Sequence, residues 1–277
     1  MRILYVTDLH GAEWKYDRLF QVAVDSDVDA VINGGDMLPK SRDREGQCDF
    51  IAGFLDAHFK KYNDAGLDYL CCLGNDDLKR FDLLFQDVCD RYSHAHNIAQ
   101  CKIELGGFEF IGMNWVVDYP FRLKDRCRMD TEGYVFQEQF GPGLLSTESG
   151  WKDLEDWFSH AKTLPTIEDE LSRLVQPTDM SRTIYSIHMP PVNMGLDKCA
   201  HGLEVGSKAV YKFLERKQPR LSLHGHIHES PACSEKWWGK IGQTLCIQPG
   251  QLEALSYVFI DLDSMEFEGF ALSDRTD

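Results

Sequence analysis

The chain has 277 residues, 43% of them hydrophobic, with 29 basic against 45 acidic side chains and a formal charge of −16. That length and apolar content suffice to bury a large core, and a single domain across 1–277 is expected. The charge repels polyphosphate backbones, so nucleic acid is not expected as a partner. No run approaches the roughly 18 apolar residues of a membrane span, so no membrane is expected either.

The opening MRILYVTDLHG turns polar too early for a secretory leader. The nine cysteines are odd in number, without a CxxC pair, and read as reduced thiols. Both readings predict a cytoplasmic protein.

In chain order, apolar runs rich in β-branched and aromatic residues recur at 3–6, 28–32, 69–73, 108–112, 184–187 and 221–223, the pattern of buried strands. Between them, Leu19, Val22 and Ala23, then Ile51, Phe54 and Leu55, then Val210, Phe213 and Leu214 recur with helical period. Strands alternating with helices predict an α/β fold with parallel sheet covered by helices. Residues 97–112 predict a hairpin around Gly106-Gly107, and 242–272 predict three further strands. From about 113 to 181 no strand pattern is visible. That stretch is too long for a bare loop and reads as an insertion with its own helices, one of them capped by Thr166 and Asp169.

Asp8 and His10 follow the first strand, Asp36 the second behind Gly34-Gly35, and Asn75 the third behind Gly74. His188 closes a later strand, and His226 and His228 close the next. In an open α/β sheet the carboxyl ends of parallel strands gather on one edge, so these seven side chains are expected to converge. Each alone reads more readily as a turn former, cap or packing residue. Together, with glycines beside them that permit close backbone approach, they read as a metal site.

On Asp8-Leu9-His10, Gly35-Asp36, Gly74-Asn75, His188 and Gly225-His226-Ile227-His228, spread in that order over about 220 residues, the sequence resembles the calcineurin-like metallophosphoesterase superfamily. His188-Met189-Pro190-Pro191 and the stretch from Gly206-Ser207 to Gly225 are similar to its small prokaryotic-type members. The resemblance implies a four-layer α/β/β/α sandwich, two mixed sheets flanked by helices. It implies two divalent metal ions, one held by Asp8, His10, Asp36 and His228, the other by Asp36, Asn75, His188 and His226, with Asp36 as the bridge. It also implies phosphoester hydrolysis by a metal-bridging hydroxide, since such a pair lowers the pKa of bound water from 15.7 towards about 7. Manganese is the expected ion, with iron, nickel or zinc as alternatives.

Asp36, Asn75 and Asp76 are the candidate catalytic residues, and Asp76 departs from the family pattern. Many members carry a His there that protonates the leaving oxygen. An ionised Asp cannot donate, so Asp76 serves as acid only if burial or Asp77 raises its pKa; otherwise it is a neighbour of the ligands or a turn residue. The expected substrate is therefore a small phosphodiester whose leaving group needs little protonation. The alternatives are a phosphomonoesterase, a nucleotide pyrophosphatase, or a non-catalytic metal-binding scaffold. After Asp36 the chain continues Met37-Leu38-Pro39-Lys40, matching neither the serine/threonine protein phosphatases nor the purple acid phosphatases. Gln248-Pro249-Gly250 stands where Asn-Pro-Gly is common and predicts a backbone turn near the site.

Arg122, Lys124, Arg126 and Arg128, beside Asn114, Trp115, Tyr119 and Phe121, read either as a lid gripping substrate phosphate or base, or as a solvated loop paired with Asp118, Asp125 and Asp130. His58, His94, His96, His160 and His201 read as surface or packing residues. His224 shares a strand face with His226 and is expected to pack near the ligands without joining them.

Overall fold

The computed structural model describes residues 1–40 and 44–273. The apolar runs form strands buried on both faces, which is why they read as unbroken hydrophobic stretches without alternation. β1 (Arg2–Val6), β2 (Ala30–Asn33), β3 (Asp68–Cys71) and β4 (Ala95–Asn97) are parallel neighbours. Parallel strands need long crossovers, and helices supply them. α1 (Glu13–Asp25) leads to β2, and α2 (Arg44–Asp49) with α3 (Asp56–Ala65) leads to β3 through the π-helical turn Phe50–Leu55. α4 (Asp82–Cys89) then leads to β4.

The chain next crosses to a second sheet through the hairpin β5 (Lys102–Leu105) and β6 (Phe108–Met113), turning at Gly106-Gly107 as expected. The segment that follows was expected to hold no strands, and the structure corrects this. It contains the two-residue pair β7 (Val116–Val117) and β8 (Cys127–Arg128), and the hairpin β9 (Gly143–Thr147) and β10 (Gly150–Leu154). α5 (Trp157–Ala161) and α6 (Ile167–Arg173) close it. β7 and β8 are too short to show a period, and β9 and β10 are half-exposed with no apolar run to mark them. Thr166 and Asp169 make the expected capping box on α6.

β11 (Thr183–Ile187), α7 (Lys208–Lys217), β12 (Leu221–Leu223), α8 (Ser230–Ser234), β13 (Trp238–Ile241), β14 (Thr244–Ile247), β15 (Leu255–Asp261) and β16 (Phe267–Leu272) complete the elements. The last three are the strands expected over 242–272. β4 and β13 were not anticipated: each lies at a sheet edge, where burial imposes less pattern. The two six-stranded sheets run β16-β15-β1-β2-β3-β4 and β13-β14-β12-β11-β6-β5, each with four parallel strands; the two antiparallel additions lie together on one side of the first sheet and on both edges of the second.

Strand period two divides the core. Ile3, Tyr5, Ile32 and Leu70 face Phe110, Ile184, Leu223 and Ile247 between the sheets. Leu4, Val6, Val31 and Tyr69 pack outward on Leu19, Phe59 and Phe85 of α1, α3 and α4. Ile111, Tyr185 and Ile187 pack outward on Val210, Phe213 and Leu214 of α7. The result is the four-layer α/β/β/α sandwich that the resemblance implied. No helix among the described residues is long and apolar enough to cross a membrane.

Candidate metal centre

All seven predicted ligand-type side chains meet just past the carboxyl ends of β1, β2, β3, β11 and β12. They form two overlapping groups able to hold a metal ion: Asp8, His10, Asp36 and His228, and Asp36, His188 and His226. Asn75 joins the second, its Oδ1 lying 3.0 Å from His188 Nε2 and 2.5 Å from His226 Nδ1. His10 Nε2 and His228 Nε2 face each other at 3.0 Å. Asp36 Oδ2 stands 3.4 Å from His188 Nε2 and 4.0 Å from His10 Nε2, between the groups.

The loops are bent sharply to achieve this. Asp8, His10, Asp36 and His226 all take left-handed backbone angles, with φ of 57°, 45°, 50° and 69°. Such angles cost non-glycine residues on the order of 1–3 kcal/mol each and persist only where surroundings over-determine them. Here adjacent loops interlock: Asp8 N donates to Gly35 O and His10 N to Asp36 O, both at 2.9 Å, and His226 N donates to the Asp8 carboxylate at 3.1 Å. Two motif glycines are needed for close approach. A Cβ at Gly74 would lie 2.2 Å from Asp36 N, and one at Gly225 would lie 2.2 Å from Thr7 Oγ1.

Burial pushes the Asp8 carboxyl up and lowers His10 and His226 to about 3, so both imidazoles are neutral with lone pairs available. At Asp36 burial acts upward, but His188, His10 and the Asp76 N–H together outweigh it and the carboxyl is held low. Burial likewise opposes a charge on His188, yet Asp36 and Asp8 beside it raise the ring to about 9. His188 Nδ1 lies 2.9 Å from Gly34 O, a bond that fixes the tautomer of a ligating histidine and turns Nε2 inward. Asp36 Oδ2 is buried and has no hydrogen-bond partner among the described residues. A buried carboxylate oxygen without a hydrogen bond, the neutral imidazoles of His10 and His226 and an amide oxygen converging on one another are a donor set that divalent cations satisfy. The residues fit the ions.

Asp76 lies at the rim. Its backbone N–H donates to Asp36 Oδ1 at 2.8 Å, its Oδ1 accepts from Asn75 Nδ2 at 3.1 Å, and its Oδ2 pairs with Lys40 Nζ at 3.2 Å. Burial and Asp36 push its carboxyl up, while Lys40 favours the charged form.

Several site residues escaped the sequence reading. Lys40 Nζ is 3.4 Å from His228 Nε2, a contact across 188 positions that nothing local announces. Asp77 accepts from Met37 N, Leu38 N and Gly74 N at 2.9, 2.8 and 2.7 Å, clamping the loop of Asp36 to that of Asn75. Gln248 accepts from Gly250 N at 2.6 Å and donates to Ile227 O at 2.5 Å, so the expected turn also braces the His226–His228 loop. Thr7 Oγ1 donates to Asp8 Oδ2 at 2.7 Å and orients that carboxylate.

The basic cluster is neither a lid of four cations nor a solvated loop. Lys124, Arg126 and Arg128 are 1%, 2% and 5% exposed and pair with Asp118, Asp82 and Glu170. Asp118 is the only partner foreseen. Asp125 accepts from Lys79 N and Ser146 N, and Asp130 from Lys208 N at the start of α7. Arg126 also donates to Gly74 O at 2.8 Å and Asn114 to Leu73 O at 2.6 Å, so this segment supports the loop bearing Asn75. Arg122 alone of the four is at the surface, bonded to Asp153 at 2.8 Å.

His224 is buried, with Nδ1 2.9 Å from Ile187 O, in the packing role expected. His58 is also buried, among aromatic rings.

Comparisons with known proteins agree with this geometry. Residues 1–230 match the family model of the calcineurin-like phosphoesterases. The DNA double-strand break repair protein Mre11 of Haloferax volcanii is 29% identical over 120 residues, 41% of this chain and 26% of that protein. The chain thus spans about a quarter of that curated relative's length. TT1561 of Thermus thermophilus superposes with a TM-score of 0.60 at 17% identity, covering 98% of both chains. A dimetal phosphatase from Danio rerio superposes with a TM-score of 0.50 at 11% identity, over 99% of this chain and 93% of that one. With its sandwich fold, its strand-end Asp, Asn and His cluster and a family match over 1–230, the chain belongs to the calcineurin-like phosphoesterase family.

Proposed function

We propose that the protein is a phosphodiesterase of a small phosphorylated molecule that works with two divalent ions, manganese by preference. The reading rests on one observation: the two groups share Asp36, whose inward oxygen is buried, makes no hydrogen bond among the described residues and stands 3.4 and 4.0 Å from Nε2 of His188 and His10. Asp8, His10, Asp36 and His228 would hold one ion, and Asp36, Asn75, His188 and His226 the other. When bound, such a pair neutralises charge on the phosphate oxygens and makes a water more acidic.

The chain's own groups supply the rest. Lys40 offers a cation beside His228 for the anionic ester. Asp76 stands where many members of the family carry a His; Lys40 favours its charged form, but burial and Asp36 raise its pKa on balance. With a carboxyl in place of an imidazole at this position, we read the site as suited to esters whose leaving group departs unprotonated, which is the basis for preferring aryl or nucleotidyl diesters. The nine cysteines are free thiols, five of them buried, in keeping with a reducing compartment such as the cytoplasm. We read 1–277 as one domain, with 113–181 an insertion that braces the site.

The test is a comparison of bis(4-nitrophenyl) phosphate with 4-nitrophenyl phosphate under manganese, iron, nickel and zinc. Manganese-dependent turnover favouring the diester is expected. A preference for the monoester, or no turnover with any of these ions, overturns the proposal.

A further inference from the structure

Beside the metal centre lies a cleft of about 630 Å³, within the range of pockets that hold nucleotide-sized molecules. Lys40 and Asp76 line its inner end and Phe121, Arg122, Phe140 and Trp151 its outer walls. It therefore opens from the rim of the candidate metal site, and its far side is built by the segment between β6 and β11.

Two large aromatic side chains there are left to solvent. Phe121 is 62% and Phe140 70% exposed, and their rings meet edge to face at 5.4 Å. Tyr119 continues the series inward, its ring 5.8 Å from Phe121 and 5.8 Å from the ring of His226. Aromatic faces thus run from the ligand cluster to the outer cleft. Exposed rings of this size are costly in water unless something covers them, and flat π faces favour a planar ring.

The wall is held in place. Phe140 N donates to Pro120 O at 2.8 Å and Leu144 N to Arg122 O at 2.7 Å, pairing the two ring-bearing strands of chain. Arg122 Nε donates to Pro142 O at 3.1 Å, fixing the guanidinium above the same loop. In a chain of charge −16, the cleft is lined by two cations, Lys40 and Arg122, paired with Asp76 at 3.2 Å and Asp153 at 2.8 Å.

We infer that the cleft is a ring-binding subsite: it takes the planar aromatic group of a phosphoester, a nucleobase or an aryl ring, against Phe121 and Phe140 while Lys40 counters the phosphate charge at the inner end. This rests on the phosphoesterase reading of the neighbouring metals and specifies the class of substrate.

Binding isotherms of the manganese-loaded protein with thymidine 5′-monophosphate, phenyl phosphate and methyl phosphate test it, because these share the phosphate and differ in the ring. At least one ring-bearing phosphate binds at least about fivefold tighter than methyl phosphate, the smallest effect expected of one aromatic stack. Which of the two binds tighter distinguishes a base from an aryl group. In a Phe121→Leu, Phe140→Leu double variant, which keeps apolar bulk at two exposed positions, that ratio falls towards one while the thermal unfolding midpoint holds. Equal affinities for the three phosphates, no binding of the ring phosphates, or a ratio unchanged in the double variant overturns the inference. Binding needs no turnover, so failure of diester hydrolysis with the ring preference intact sinks the proposed activity and not the subsite.

Discussion

Asp36 shows how much chemistry one side chain can carry. Its Oδ1 accepts from Asp76 N at 2.8 Å, and its Oδ2 is offered to both ligand groups. Asp36→Asn keeps the shape and removes the charge. We expect bound metal to fall by at least one equivalent by elemental analysis and kcat to drop by roughly 10³-fold, several kcal/mol of lost charge stabilisation. Unchanged metal content would refute the bridging role. His58 carries a different prediction. Both its nitrogens are buried without partners among the described residues, and burial lowers its pKa from 6.5 to about 3. Between those values the unfolded chain binds a proton that the folded chain refuses, so the contribution is intact above about 6.5 and lost as pH falls. From pH 7 to pH 5 this group alone should remove roughly 2 kcal/mol of stability. Urea unfolding at both values should show a smaller loss for His58→Phe than for the parent, and equal losses would reject the assignment.

Among the elements, the segment between β6 and β11 works as a brace. Arg126 reaches from β8's edge to Gly74 O and to Asp82 of α4, and Asp130 accepts from Ser207 Oγ and Lys208 N at the N-terminus of α7. Arg126→Met leaves a buried carbonyl short of its donor and an acid without its partner. A destabilisation of about 1–3 kcal/mol follows, together with a fall in kcat because the loop carrying Asn75 loosens. A melting midpoint and kcat both equal to the parent's would show that the brace is idle. Thr166→Ala is a control on the same segment: loss of the capping box should cost about 1 kcal/mol of stability and leave kcat alone.

Across the sandwich, the first sheet supplies Asp8, His10, Asp36 and Asn75, and the second supplies His188, His226 and His228. Ions bound among them would tie one half of the protein to the other. Manganese at 100 times its dissociation constant should therefore stabilise the fold by about 2.7 kcal/mol, raising the melting midpoint, and a chelator should reverse the rise. A midpoint indifferent to both would argue against metal binding by the folded state.

Most of the parallel strands, β4 excepted, and the convergence of the seven side chains were legible in the amino-acid order alone. Strands buried on both faces must be apolar along their length, so 3–6, 184–187 and 221–223 declared themselves. Candidate ligands gathered at a sheet edge stand just past strand ends beside small residues, as Asp36 and His226 do. Folding was needed to reveal what approaches from far along the chain: Lys40 beside His228, Arg126 on the Gly74 carbonyl, and Phe121 against Phe140 in the cleft. A single side chain meeting a distant backbone group leaves no period or spacing to read, because the crossovers that bring them together fix the contact and the local sequence does not.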